Sequence, residues 1–156
     1  MIEPPQITQS PAQITAVIRL TIPREEIRNV MRPAMNEIID VVTAQKITPA
    51  GPMFSHHLRI DPDVFDFEVG VPVPGAVSPS GRVKPGELPA ATVARTIYHG
   101  GYEGLGTAWE EFDNWIVASG YVPAPDLIER YLTHPQQDLN PAYILTELVR
   151  PVMRRV

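Results

Sequence analysis

The chain has 156 residues, 44% of them apolar and 20% charged, with a formal net charge of −5. That length holds one ordinary domain, or two small halves sharing a core. An acidic balance excludes a sequence-independent nucleic-acid binder, which needs a basic face. The lack of Cys excludes disulfides and thiolate chemistry, and no apolar run approaches the ~18 residues of a membrane span.

The first residues, MIEPPQITQSPAQ, carry neither the basic nor the apolar segment of a secretory signal, so the expected compartment is the cytoplasm. Eighteen Pro and ten Gly cluster between segments of regular periodicity and read as loop punctuation. Residues 1–11 are expected to be a flexible arm ahead of a single domain over 12–156. The β-branched run 14–22 (ITAVIRLTI) reads as the first strand. Pro23-Arg24-Glu25-Glu26 then opens a helical region with acids in its first turn. Ile27, Val30, Met31, Ala34, Ile38, Val41 and Val42 recur at helical spacing. Pro33 interrupts that pattern, and the preferred reading starts the main helix there, because Pro fits a first helical position.

Residues 53–60 and 64–73 are predicted strands around an Asp61-Pro62-Asp63 turn. Residues 74–81 link two halves, and 82–88 form a short extended piece or a loop. Ala91–His99 is a strand. The turn His99-Gly100-Gly101-Tyr102 leads into a helix with Leu105, Ala108, Trp109, Phe112, Trp115 and Ile116 on one side, ending near Gly120. Strands over 127–133 and 144–149 close the chain.

The halves repeat. Ile47-Thr48-Pro49-Ala50 matches Tyr121-Val122-Pro123-Ala124. Residues 53–58 then align with 127–132, which sets Ser55 and His57 against Glu129 and Tyr131. Phe67-Glu68-Val69 with Pro72-Val73 matches Thr146-Glu147-Leu148 with Pro151-Val152. The predicted class is α+β: two pseudo-twofold-related βαββ halves, 12–73 and 82–152, with adjacent antiparallel sheets and a groove where they meet.

Within the last strand Glu147 shares a face with Leu145 and Val149. A carboxylate among aliphatic residues is paired, protonated or open to a charged visitor. A salt bridge to Arg95 or Arg150 is the competing structural explanation. Glu129 and Tyr131 share a face of the preceding strand and could present an acid and a flat ring to a cation; a half-exposed strand pair is the alternative. Trp109, Phe112 and Trp115 form a stripe whose simplest role is core, with Trp115 the better candidate to reach a groove. Tyr98 stands before Gly100-Gly101, where a groove rim is expected. Phe54 and His57 are further candidate lining residues, set against core and surface positions respectively. His56-His57, His99 and His134 do not have metal-ligand spacing, and no cofactor motif is present.

The ordered motifs Glu129-Arg130-Tyr131-Leu132, His134-Pro135, Thr146-Glu147-Leu148 and Pro151-Val152 resemble the GyrI-like small-molecule-binding domain over residues 14–152. That domain also serves as the effector-binding module of AraC- and MerR-type multidrug-responsive transcription regulators. The resemblance implies a pseudo-twofold α+β domain with its groove between the lobes. It also implies a drug-contacting glutamate at Glu147. No helix-turn-helix segment is evident, so a standalone copy is expected.

Three functions are consistent with this reading. The first is binding of bulky, planar, often cationic molecules by Glu147, Glu129, Tyr131, Tyr98, Trp115, Trp109, Phe54 and His57, without a metal or cofactor. The second, implied by the resemblance, is hydrolysis of cyclopropanoid genotoxins with Glu147 and Tyr131 as catalytic groups. The third is a protein-interaction module of gyrase-inhibitor type. The expected partner is an aromatic small molecule, with a separate regulator or other protein as a further possibility, and neither nucleic acid nor membrane contacted directly. Loops 74–88 and 134–142 are the expected lids.

Overall fold

The computed structural model describes residues 1–59, 61–133 and 144–155. In chain order the elements are β1 (Gln6–Ser10), β2 (Gln13–Pro23), a 3-10 turn (Arg24–Glu26), α1 (Ile27–Ala44), β3 (Phe54–Arg59), β4 (Val64–Pro72) and β5 (Lys84–Leu88). Then follow β6 (Ala91–His99), a 3-10 turn (Tyr102–Gly104), α2 (Leu105–Ala118), β7 (Tyr121–Pro123), β8 (Leu127–Tyr131) and β9 (Leu145–Arg154).

The strands form an antiparallel sheet in the order β1-β6-β9-β8-β3-β4-β2-β5, with β7 added on β9. The βαββ repeat is real: β2-α1-β3-β4 and β6-α2-β8-β9 are the two lobes. They are joined into one sheet where β3 pairs β8. Ser55 lies directly opposite Glu129, with Phe54 opposite Arg130 and His56 opposite Ile128. Under the repeat alignment, Ser55 and Glu129 are equivalent residues, so the pseudo-twofold axis passes through that pair.

Strand alternation divides the core. Ala16, Ile18, Phe67, Val69 and Val71 face α1, which returns Ala34, Met35, Ile38 and Val42. Ala94, Leu127, Leu148 and Val152 face α2, which returns Ala108, Trp109, Phe112 and Ile116. The opposite face of the curled sheet buries Val17, Phe54, Leu88, Val93, Ile128 and Val149. Burying each such aliphatic or Phe side chain contributes roughly 1.5–3 kcal/mol. β2 and β4 are apolar on the face under α1, while their other face carries Thr15, Arg19, Thr21, Asp66 and Glu68.

Four expectations are corrected. Residues 1–11 are not a free arm: β1 pairs β6 through Gln6↔Arg95 to Ser10↔Ala91, and Ile2 bridges Tyr98. Their alternation was masked by flanking Pro. The helix does not begin at Pro33, which lies inside α1 on an exposed turn. Ile27, Val30 and Met31 pack on the first core and hold the earlier turns in helical register, outweighing the missing backbone N–H. Residues 74–88 are not a lid. Val77 and Val83 are buried, and the Gln45 amide bonds the backbone of Ser78 in both directions, at 2.8 and 2.9 Å. β5 then pairs β2, so it extends the first lobe rather than opening the second. The proposed lid 134–142 lies outside the described residues.

Among the described residues no helix is long and apolar enough to cross a membrane.

Candidate functional site

α1 packs over β2 and β4, and α2 over β6 and β7. The central strands β3 and β8 therefore run through the seam between the two helices. β8 points Leu127, Glu129 and Tyr131 to this side and Ile128 and Arg130 to the other. Its pairing with β9, Glu129↔Leu148 and Arg130↔Glu147, places Leu148 with Glu129 and Glu147 with Arg130.

The two glutamates thus occupy opposite faces of the sheet. Glu147 is on the concave face and is fully engaged. One oxygen accepts from Arg95 at 2.6 and 3.0 Å, the other from Arg130 at 2.9 Å. The Arg95 salt bridge weighed from spacing is the one that forms, with Arg130 added from the next strand. The position expected to contact a ligand is held in an ion pair with two arginines.

Glu129 has the opposite character. Its Oε2 accepts from the Trp109 indole N–H at 2.7 Å, and its Oε1 from the Tyr131 hydroxyl at 3.0 Å. Ser55, from the other lobe, lies 2.7 Å from the Tyr131 hydroxyl. Because that phenol has one proton and gives it to Glu129, the Ser55 hydroxyl donates to Tyr131. Burial raises the Glu129 carboxyl above the ordinary glutamate range, and the bonds from Trp109 and Tyr131 oppose the rise. Burial also raises Tyr131 well above the ordinary phenol, with the charge of Glu129 adding to it. Both residues keep part of their surface accessible. Tyr102, on the 3-10 turn ahead of α2, meets Tyr131 edge to face at 6.2 Å and is 40% exposed. Burial and the Glu129 charge raise its hydroxyl, while a hydrogen bond with Thr133 lowers it. Thr146, opposite Tyr131 on β9, has a buried hydroxyl with no partner among the described residues.

The remaining candidates divide. Trp109, not Trp115, reaches Glu129; Trp115 packs against the α2 core. The helix is rotated so that the centre of the aromatic stripe, rather than its edge, faces the seam. Tyr98 is core, 7% exposed, with its hydroxyl donating to the Gly101 carbonyl at 3.0 Å. Phe54 is fully buried on the concave face. His57 is buried rather than on the surface. It stacks on Phe67 at 5.0 Å and meets Phe65 edge-on. Burial, with help from His56 and Arg24, depresses its pKa to about 4. Ser55 and Tyr102 also contact Tyr131 and were not among the candidate lining residues. The repeat alignment had already set Ser55 beside Glu129, whereas Tyr102 was read only as part of a turn. Among the described residues no cluster of three or more His, Asp or Glu could hold a metal ion.

The profile of the GyrI-like small-molecule-binding domain matches residues 3–153. The chain belongs to the GyrI-like family. No curated protein matches its sequence. Among solved structures, this GyrI-like chain superposes on the EcmrR C-terminal domain with a TM-score of 0.83 at 19% identity, covering 97% of this chain and 98% of that one. It spans 58% of the longer EcmrR chain of an EcmrR–DNA complex, at 20% identity, a TM-score of 0.83 and 99% coverage of its own length. SAV2435 bound to tetraphenylphosphonium gives a TM-score of 0.66 at 13% identity, covering 97% of this chain and 94% of that one. A hydrolase from Listeria innocua gives 0.69 at 12% identity, with coverage of 96% and 91%. At these identities the shared property is the GyrI-like fold.

Proposed function

We propose that the domain binds bulky, planar or aromatic cations in the seam over β3 and β8, with Glu129 as the buried counter-charge. One observation carries this reading. Both hydrogen-bond donors to Glu129 are neutral, and among the described residues no ion pair reaches it. A carboxyl so placed has lost hydration without gaining a positive charge. A proton or a visiting cation relieves that cost. Glu147 has no such need, because two arginines already satisfy it. Tyr131 and Tyr102 supply ring surfaces, and a cation over an aromatic face adds roughly 0.5–2 kcal/mol. The tetraphenylphosphonium complex of SAV2435 supports the ligand class. Sequestration, or a signal passed to a separate regulator or other protein, would follow from the same site.

A second reading rests on the same pair. A carboxyl with a raised pKa, hydrogen-bonded to a phenol, is suited to general-acid opening of a strained ring. The hydrolase from Listeria innocua has the same fold. Mass spectrometry separates the readings, since a hydrolase returns a cyclopropanoid substrate with added water and a binder returns it unchanged.

Titration of tetraphenylphosphonium followed by Trp fluorescence tests the primary reading. Affinity should rise with pH as Glu129 ionises, because the ligand's charge is fixed. Glu129→Gln should abolish that pH dependence and weaken the cation about tenfold, roughly 1.4 kcal/mol, while sparing a neutral polyaromatic. Equal cation affinity in both proteins across the pH range would remove Glu129 from the site.

A further inference from the structure

On the concave face, away from Glu129, a cavity of about 170 Å³ opens between β8, β9 and the β5–β6 turn. Its floor is Leu88, Ile128 and Val149. Asp126 and Arg130 stand at opposite ends of it, their Cα atoms about 13 Å apart at strand spacing. The Asp126 carboxylate accepts from His56 at 2.8 Å yet remains 27% exposed. The hydrogen bond from His56 holds its carboxyl below the ordinary aspartate range, so it is ionised at neutral pH. Arg130 is fixed at the other end by Glu147 and by Gln13, at 2.9 and 3.3 Å.

The repeat explains why this space exists on one side only. Ile128 and Val149 correspond to Phe54 and Gly70 in the first lobe. There, a Cβ on Gly70 would lie 2.9 Å from the Phe54 ring, so the ring fills the equivalent volume. Asp126 corresponds to Pro52, and the first lobe has no acid at that place. In the second lobe the smaller Ile128 leaves the cavity open and the acid stands at its mouth.

We propose that this concave-face cavity is a second small-molecule site, taking a monocyclic aromatic amine with a hydrogen-bond acceptor at its far end. The ammonium pairs with Asp126, the ring lies on Leu88, Ile128 and Val149, and the acceptor meets Arg130. The volume fits one ring: a dry 150 Å³ protein cavity accommodates benzene. An apolar floor with few convergent polar groups is the usual composition of a small-ligand site. Tetraphenylphosphonium, with four rings, is too large for it, so the two sites are chemically distinct.

Tyramine is the probe, followed by amide chemical shifts on the full chain. Binding should shift Ser10, Ala91 and Val149, which line or border the cavity. p-Cresol, which lacks the ammonium, should bind at least tenfold more weakly. Asp126→Asn should lose at least tenfold in tyramine affinity while leaving tetraphenylphosphonium titration as in the wild type. Ala91→Phe, which fills the mouth without touching the charges, should also abolish binding. Shifts centred instead on Glu129 and Trp109, equal binding of tyramine and p-cresol, or no binding at millimolar tyramine would each overturn the proposal.

Discussion

At the scale of single residues, charge compensation decides roles. Glu129 and Glu147 are both strand acids beside aliphatic neighbours, yet one has two arginines and the other only neutral donors. Glu147→Gln should therefore cost stability, roughly 1–3 kcal/mol, by removing the countercharge of Arg95 and Arg130 and turning an amide donor toward one of them. Urea unfolding measures this, and the same variant should weaken cationic and neutral ligands alike. A selective loss of cation affinity would return Glu147 to the ligand site. His57 carries a pH signature. It is held neutral in the fold with its pKa near 4, against an ordinary 6.5. Its contribution is intact above the unfolded value and is lost as pH falls from 6.5 toward 4, because the unfolded chain takes the proton first. That amounts to about 3 kcal/mol at most. Denaturation at pH 7.5 and 4.5 should show His57→Leu with a shallower acid-side loss than the wild type; an unchanged slope would assign the loss to other groups. Glu129 acts with the opposite sign. Its raised pKa means stability is fully present below the ordinary glutamate value and is lost as pH rises through the folded one.

At the scale of elements, the close approaches between strands are where the fold tolerates least. Gly70 sits on β4 where an added Cβ would come within 2.7 Å of the Ala16 carbonyl oxygen and of Val17. Backbone cannot yield as a flexible side chain can, so Gly70→Ala should lower stability by about 1–3 kcal/mol. Gly75→Ala meets nothing within 4 Å and is the control. Thermal melts of the pair should differ by several degrees, and equal melting temperatures would mean that β2 and β4 can separate at this point. The strands themselves were legible from β-branched runs and alternation, and Ala91–His99 was placed to the residue. α1 was legible in its apolar spacing but not in its start. Pro33 is a strong local signal, and only the packing of Ile27, Val30 and Met31 on the first core overrides it. β1 and β7 were missed because a short edge strand flanked by Pro has too little pattern to distinguish it from a loop.

At the scale of the whole molecule, the two lobes become one sheet through β3 and β8, and the N-terminal strand β1 finishes its second-lobe edge. Glu3 takes part through its backbone, its N–H bonded to Ile97 at 2.9 Å and its carbonyl to the Thr96 hydroxyl at 2.6 Å. Ile2 and Ile7 pack on the α2 core. Removing residues 1–10 should lower the melting temperature by roughly 5–10 °C; an unchanged melt would make the segment a free arm after all. The chain by itself determined the fold class, the repeat and the family, since periodicity and motif order are properties of the sequence. Which acid is paired with arginines and which has only neutral donors was decided only by tertiary structure. Alternation states that Glu129 and Glu147 each share a face with apolar neighbours. It cannot state which face lies under the helices or which cations arrive from other strands. Arg95 and Arg130 reach Glu147 from two neighbouring strands, while Trp109 reaches Glu129 from a helix and Ser55 reaches Tyr131 from the other lobe. These partners are distant in sequence, and only the folded sheet brings them within bonding distance.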